Sequence, residues 1–327
     1  MNYPDEIKSR ALQLGFDLVG ITDASPISQQ QVELLSNWIT RGYAGQMDYM
    51  YRNFKMRIDP SRHLQDAQSV ICVALNYHPA KSHPLPASSK SPVGLVADYA
   101  LYEDYHQFMK KKLRDLALFI STYAGTGFKF KICVDSSPLA ERALAARAGL
   151  GFIGKNCMLI NPAFGPQLFL AEIITNLELQ TDKPAPTSRD CSHCNNCLSA
   201  CPTGALQPDG FLDAARCINY LTIEYKDQIP TDLACKIANR LIGCDECVHA
   251  CPYYQKAPPC RNSSFKFHAD RAHLDLHQLL DMSQADFDTK FADLSVVAKA
   301  KTDSPLMRIG LERLKRNAHI CLNNITP

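Results

Sequence analysis

The chain has 327 residues, 46% of them hydrophobic and 21% charged, with a net charge of +2. That length supports roughly two domains with proper cores, and the balance is that of an ordinary soluble globular protein. A charge so near zero excludes a generally basic nucleic-acid binder, so any polyanion site has to be a local patch.

The opening MNYPDEIKSRALQLGF carries acids early, no uninterrupted apolar core and no twin-arginine pair, so no export signal is expected there. No run approaches the ~20 apolar residues that span a bilayer. These features predict a cytoplasmic, membrane-free protein. Its 14 cysteines are then not expected to form disulfides, because that compartment keeps thiols reduced. Metal or cluster ligation explains them better.

In chain order, residues 1–180 read as an α/β domain. DEIKSRALQLG (5–15) is an amphipathic helix closed by Gly15, and FDLVGIT (16–22) is a strand. SVICVALNY (69–77) is a nearly continuous apolar run, as in a strand covered on both faces. DYHQFMKKKLRDLALFISTYA (104–124) is a long amphipathic helix with Lys110, Lys111, Lys112 and Arg114 midway. FKFKICV (128–134) alternates as a strand does and stops at Asp135. PLAERALAARAG (138–149) is predicted as a helix opened by Ser137–Pro138 and closed by Gly149.

The composition then changes. LQTDKPAPTSRD (179–190) is a Pro- and Ser-rich linker into a cysteine-rich, ferredoxin-like segment at 181–260. Residues 261–327 read as helices with short connections. The last of these, starting near Pro305, resembles a helical repeat that begins and stops early.

The cysteines carry the clearest chemistry. Cys191-x2-Cys194-x2-Cys197-x3-Cys201-Pro202 matches the bacterial ferredoxin run for cubane iron–sulfur clusters. Two-residue gaps let one turn of chain wrap three corners of a cube, and the longer gap carries the fourth thiolate away to a second cluster. Zinc sites also use C-x2-C knuckles, but need neither three thiolates at this pitch nor the trailing proline.

The second run, Cys244-x2-Cys247-x3-Cys251-Pro252, has Leu241 where a leading cysteine would stand. Exchanging the fourth cysteines gives one complete set, Cys191, Cys194, Cys197 and Cys251. The other set, Cys244, Cys247 and Cys201, is one ligand short. Cys217, Cys235 and Cys260 are spare, and spacing leans towards Cys217, with an open iron as the alternative. Two such clusters make a wire, which needs an acceptor upstream.

GLGFIGKN (149–156) has the glycine spacing of a dinucleotide fingerprint, but it follows a helix where that fingerprint follows a strand. Gly149 is therefore expected to cap the helix in a left-handed conformation. Asp135, between a strand and a helix, lies where open α/β sheets bind ligands; the plainer reading is a turn aspartate. Asp104 is by default a helix N-cap.

Taken together, VDSSPLAERALAARAGLGFIGKN, CSHCNNCLSACPTGAL, RCINYLTIEY and GCDECVHACPYYQ resemble the epoxyqueuosine reductase family, collinearly over residues 1–260. The resemblance implies a cobalamin-dependent enzyme with two [4Fe-4S] clusters. Such an enzyme removes the epoxide oxygen of epoxyqueuosine at the wobble position of tRNA, the last step of queuosine synthesis. It makes Asp135 the proton donor, sets the corrin against Arg57, Asp104, Asp135, Lys155 and Asn156, and selects Cys217 as the fourth ligand of the second cluster. It also implies an external low-potential electron donor and a monomer.

An aspartate is a poor acid at neutral pH unless burial raises its pKa, so Asp135 is expected to be shielded beneath the substrate. No DxHxxG motif is present, so no histidine lower ligand to cobalt is expected. Candidate tRNA phosphate contacts are Arg142 and Arg147 on one helix and Lys315 and Arg316 near the end, with Lys110–Lys112, Arg308 and Arg313 behind them. The rival readings are a corrinoid reductive dehalogenase, a flavin reductase and a plain electron-transfer ferredoxin.

Overall fold

Helix α1 (Tyr3–Gln13) ends as the sequence predicts, at Gly15, whose φ of +97° only glycine adopts freely. Strand β1 (Leu18–Asp23) follows, then the short helices α2 (Gln29–Thr40), α3 (Asp48–Arg52) and α4 (Phe54–Ile58). Next come β2 (Ser69–Asn76), β3 (Val93–Val96), α5 (Tyr105–Ala124), β4 (Phe130–Cys133) and α6 (Glu141–Arg147). The hairpin β5 (Phe152–Ile153) and β6 (Leu159–Ile160) leads into β7 (Leu168–Thr175).

The cysteine-rich part holds α7 (Asn196–Ala200), α8 (Ile218–Ile223), α9 (Thr231–Ile237), β8 (Arg240–Ile242) and α10 (Glu246–His249). The chain closes with β9 (His273–Asp275), α11 (Leu276–Asp281), α12 (Gln284–Phe291), α13 (Pro305–Ile309) and α14 (Leu311–Ile325). This computed structural model describes residues 3–80, 91–184, 191–291 and 304–325, so the end of the predicted linker, 185–190, lies outside the described residues.

The chain forms two units that interleave in sequence, where the sequence predicts consecutive segments. The first comprises 1–78, 105–195 and 251–262, and the second comprises 79–104, 196–250 and 263–327.

The first unit is built on a four-stranded sheet in the order β1-β2-β7-β4, antiparallel throughout. Every residue of β2 and β7 is buried, which explains their unbroken apolar runs. Alternation puts Val70, Cys72, Ala74, Leu168, Leu170 and Ile174 on the face that packs under α6. The opposite face meets α1 and α5, whose buried stripe runs Met109, Leu113, Leu116, Ala117, Ile120.

Helix α6 starts at Glu141, three residues later than the Ser137–Pro138 signal predicts. The intervening backbone is bonded elsewhere: Ser136 N–H to the Val134 carbonyl at 2.5 Å, and Ala140 N–H to the Arg57 carbonyl at 3.0 Å. Gly149 caps α6 at φ +82°, and a Cβ there would sit 2.6 Å from the Lys183 carbonyl oxygen. That close approach and the helix before it rule out a dinucleotide loop.

The second unit contains a three-stranded sheet, β8-β3-β9, that the sequence does not announce because its strands are three or four residues long. Leu241, which stands where a cysteine might have, is fully buried in β8. Gly94 on β3 lets it in, since a Cβ on Gly94 would come within 2.6 Å of the Leu241 Cβ. Leu241 is thus a core residue.

Helix α14 belongs to the same core. It buries Leu311, Leu314, Ala318 and Cys321, and the Asn317 amide donates to the carbonyls of Thr222 (2.9 Å) and Leu241 (3.0 Å). It is a structural member of this unit. Among the described residues no helix is long and apolar enough to cross a membrane.

Replacing Leu241 by Ala should lower stability by about 2–5 kcal/mol, through lost burial and the cavity left behind. Denaturant unfolding against the parent chain checks this; an unchanged midpoint would mean that Leu241 does not hold the sheet together.

Candidate active site and cysteine centres

Asp135 leaves β4 in a left-handed conformation, φ +51°, unusual for a residue with a side chain. Two contacts hold it there. Its N–H donates to the Glu141 carboxylate at 2.6 Å, and its own carboxylate lies 3.0 Å from His106 Nε2. His106 is 3% exposed and packs against Tyr105 with the rings tilted by 35°, while the Tyr105 ring lies flat on Phe169 at 4.0 Å. Asp135 itself keeps 53% of its side chain exposed. The protein alone therefore does not supply the shielding that the sequence reading expects. The antiparallel sheet also removes the parallel-sheet argument for a ligand site at this point; turn geometry places Asp135.

Burial lies instead just behind it. Burial and the neighbouring Asp135 charge push the Glu141 carboxyl up to about 8, against the pull of the Asp135 N–H, Arg142 and His106. Deeper still, on β7, Glu172 is 0% exposed, opposite Cys72 on β2 and Cys133 on β4. Among the described residues neither of its carboxyl oxygens has a hydrogen-bond partner. Burial raises its pKa well above the usual carboxylate range, and the Glu141 charge adds to this. Burial also pushes up both flanking thiols, Cys133 to about 12.

Arg57 stands close to this acidic group. Burial lowers its pKa, offset by Tyr49, Glu141 and Asp135. Its Nε is buried without a partner among the described residues. Asn156 is buried, and its side-chain oxygen accepts the Met158 N–H at 3.2 Å.

Lys155 has a different occupation from the one the sequence reading gives it. Its ammonium donates to the carbonyls of Ser192 (3.0 Å) and Cys194 (2.9 Å) and to Asn195 Oδ1 (2.9 Å), while its N–H points at Cys191 Sγ, 3.4 Å away. It clamps the first cysteine loop. Asp104 lies in the second unit, almost fully buried, with Arg308 at 3.3 Å.

No disulfide joins any of the 14 cysteines, all of which lie among the described residues. In the first unit Cys191 and Cys194 are near enough to Cys251 to disfavour its thiolate; burial is the larger cause, and the N–H groups of Tyr253 and Tyr254 oppose it. In the second unit Cys201, Cys217, Cys244 and Cys247 converge. Burial raises the Cys247 pKa first, and Cys217, Cys244 and Cys201 add to it. Cys244 is pushed to about 12, by burial first, then by Cys217 and Asp245 against the N–H of Glu246 and Arg240.

Cys201 goes the other way. Burial opposes its thiolate, but the N–H groups of Leu206, Ala205 and Thr203 and the Thr203 hydroxyl outweigh it. Four half-buried thiols, with backbone N–H donors aimed at the sulfurs of Cys201 and Cys244, suit a cationic cluster, which would relieve their mutual repulsion. Cys197 is buried on α7. Cys235 is exposed on α9 with its thiol bonded to the Asp232 carbonyl, and Cys260 belongs to the first unit.

The basic candidates separate. Arg147 is filled by Thr22, by the carbonyls of Asp23, Ser25 and Pro26, and by the Asp23 carboxylate at 3.6 Å. Arg316 is filled by the carbonyls of Leu221, Tyr225 and Asp227 and by Asn317. Both guanidiniums are held by oxygens of their own unit, which leaves them less free to meet a phosphate. Arg142 is exposed while one of its N–H groups donates to the Cys157 carbonyl, and Lys315 is half-buried on α14.

The sequence reading passed over Glu141, His106 and Glu172. Glu172 left one signal: a lone acid inside the apolar strand LFLAEIIT.

A half-open carboxylate backed by buried acids, in a chain whose thiols gather in fours, marks an iron–sulfur oxidoreductase. Comparison with known proteins narrows this. The family profile "Epoxyqueuosine reductase QueG, DUF1730" matches residues 57–136, and the "4Fe-4S double cluster binding domain" profile matches 190–254. The chain is 36% identical to an epoxyqueuosine reductase of Pseudomonas aeruginosa over 97% of its length and 84% of the relative's. It is 35% identical to one of Cyclobacterium marinum, over 97% of its length and 96% of the relative's.

Its fold matches the Streptococcus thermophilus epoxyqueuosine reductase at TM-score 0.87 and 30% identity, covering 99% of this chain and 82% of that one. It also matches an epoxyqueuosine reductase solved with an epoxyqueuosine-modified tRNA stem loop, at TM-score 0.84 and 32% identity, covering 98% and 81%. The chain belongs to the epoxyqueuosine reductase family.

Replacing Cys217 by Ser should remove one cluster and leave half of the iron and sulfide of the parent protein. Anaerobic iron and sulfide analysis checks this, and an undiminished count would exclude Cys217 as a ligand.

Proposed function

We infer that this chain reduces epoxyqueuosine at the wobble position of tRNA to queuosine. The observation that carries the inference is Asp135, held by Glu141 and His106 with its carboxylate half open, in the same unit as Cys191, Cys194 and Cys251. Its family, and a relative bound to an epoxyqueuosine-modified stem loop, support the substrate. A Bacillus subtilis relative described with its catalytic aspartate loop swung out of the active site supports a loop aspartate in this role.

The chemistry consumes two electrons and two protons, turns the epoxide into an alkene and releases water. One [4Fe-4S] cluster would be held by Cys191, Cys194, Cys197 and Cys251, and the other by Cys201, Cys217, Cys244 and Cys247. The convergence of the second set and the pairing of Cys251 with Cys191 and Cys194 support this division. An external low-potential donor would charge them, one electron at a time.

The residues also suit cobalamin: the orphan Nε–H of Arg57 needs an acceptor, which the amide-rich rim of a corrin offers. Bound there, cobalamin would supply a metal that takes single electrons from the clusters and delivers them to the epoxide. Arg57, Asp135 and Asn156 would hold it in the first unit. Asp104, whose carboxylate Arg308 holds, is the further candidate to bind it. Lys155 would serve it indirectly, by fixing the cysteine loop.

Asp135 would protonate the epoxide oxygen as the C–O bond opens, which a general acid within hydrogen-bond reach does best. The wobble base has to be splayed out of its loop to reach this carboxylate. Arg142 and Lys315 are the remaining candidates for phosphate contacts, since Arg147 and Arg316 are already engaged. A monomer working on tRNA in the cytoplasm fits this role.

Replacing Asp135 by Asn should leave iron content and tRNA binding intact and lower the deoxygenation rate by about a hundredfold or more. An anaerobic assay on epoxyqueuosine-containing tRNA with a low-potential reductant reads the outcome, and a parental rate would remove Asp135 from the mechanism.

A further inference from the structure

Deoxygenation needs two protons, and a single carboxyl such as Asp135 delivers only one at a time. This inference rests on the function proposed above and asks where the second proton is kept.

Three carboxyl groups descend from the surface at this point. Asp135 is half open; Glu141 opens α6 and accepts the Asp135 N–H at 2.6 Å; Glu172 lies in the sheet beneath α6. Strand alternation fixes the last placement. Leu170 and Ile174, two residues either side of Glu172 on β7, both belong to the layer that packs against Ala143, Leu144 and Ala145 of α6. Cys72 and Cys133, its partners across the sheet, belong to it too.

A carboxylate in such a layer, fully buried and with neither oxygen hydrogen-bonded, is too costly to keep ionised, so Glu172 holds a proton. Nothing in the packing requires an acid there: Leu or Met would fill the layer without an unmet polar group. An acid buried in such a layer, within electrostatic reach of the Glu141 that holds Asp135, is a candidate functional group.

We propose that Glu141 and Glu172 form a proton store behind Asp135 that supplies the second proton of the reaction. Asp135 gives its proton to the epoxide oxygen as the first C–O bond breaks. Glu141 returns a proton to Asp135, which delivers it as the second C–O bond breaks and water leaves, and Glu172 reloads Glu141 once side-chain movement brings the two carboxyls within hydrogen-bond reach. The electrons are those of the cluster wire, and solvent refills the store once the product departs.

The charged and titratable neighbours are few. Arg57 on α4, His106 on α5, Asp135 in the turn and Arg142 on α6 face Glu141; Cys72 and Cys133 face Glu172, whose thiols are themselves held protonated. Glu141 keeps its proton up to a pH of about 8, so the parental rate should fall above that pH as the store empties.

The test combines single-turnover kinetics with infrared spectroscopy of Glu141→Gln, Glu172→Gln and Glu172→Met in the intact protein. The parent should show the carbonyl stretch of a protonated carboxyl at neutral pH that both Glu172 variants lose. Each Glu172 variant should react about tenfold or more slowly, with a larger solvent isotope effect, as expected when proton delivery becomes limiting. Glu141→Gln should also abolish the alkaline fall in rate. Glu172→Met should melt higher than the parent, separating a functional acid from a structural one.

Parental rates and pH profiles in the Glu172 variants, or no protonated-carboxyl band to lose, would overturn the store. An inactive parent that still shows the band would instead overturn the proposed substrate.

Discussion

Like charges crowded into a small volume repel, and that constraint shapes the second unit around Cys201, Cys217, Cys244 and Cys247. These thiols come from segments up to 46 positions apart in sequence, counted from 201 to 247. Burial and mutual repulsion keep Cys244 and Cys247 protonated on their own. A cationic iron–sulfur core removes the penalty and turns repulsion into ligation. The surrounding fold exists to hold those loops ready. The Asp245 carboxylate accepts the Asp98 N–H at 2.6 Å, the His249 ring sits 2.9 Å from Asp98, and β8 is wedged under Gly94 by Leu241. In the first unit Lys155 does the equivalent work, with three oxygen acceptors around one ammonium.

Charge crowding governs the acid side as well, with the opposite sense. Asp135, Glu141 and Glu172 are carboxyls that cannot all ionise together where burial and mutual repulsion both oppose it. Asp135 is the exposed one, Glu141 is half-buried, and burial holds the proton on Glu172. The left-handed backbone at Asp135 is stabilised by the same Glu141 that stands behind it. Position and protonation are therefore set by one interaction.

The double-cluster segment was legible because cysteine spacing is a local property of the chain, readable without a fold. So was β2, whose eight residues are all buried. The interleaved units were not legible, because they depend on which distant segments pair: β3 with β8 and β9, in strands too short to leave a pattern. Arg147 and Arg316 looked like a charged surface because sequence does not reveal the carbonyl groups that fold around a guanidinium. Lys155 was assigned to the corrin by resemblance, and only the fold shows its ammonium turned to the cysteine loop. Glu172 was overlooked because a single acid in a strand alters no periodicity; its meaning lies in the apolar layer around it.

The central claim is that this chain removes an oxygen atom by reduction. Mass spectrometry of epoxyqueuosine-containing tRNA after anaerobic incubation with the protein, cobalamin and a low-potential reductant tests it most directly. The expected product is the modified nucleoside lighter by one oxygen, formed only when the reductant is present. A nucleoside heavier by one water, the mark of epoxide hydrolysis, or an unchanged one would contradict the account.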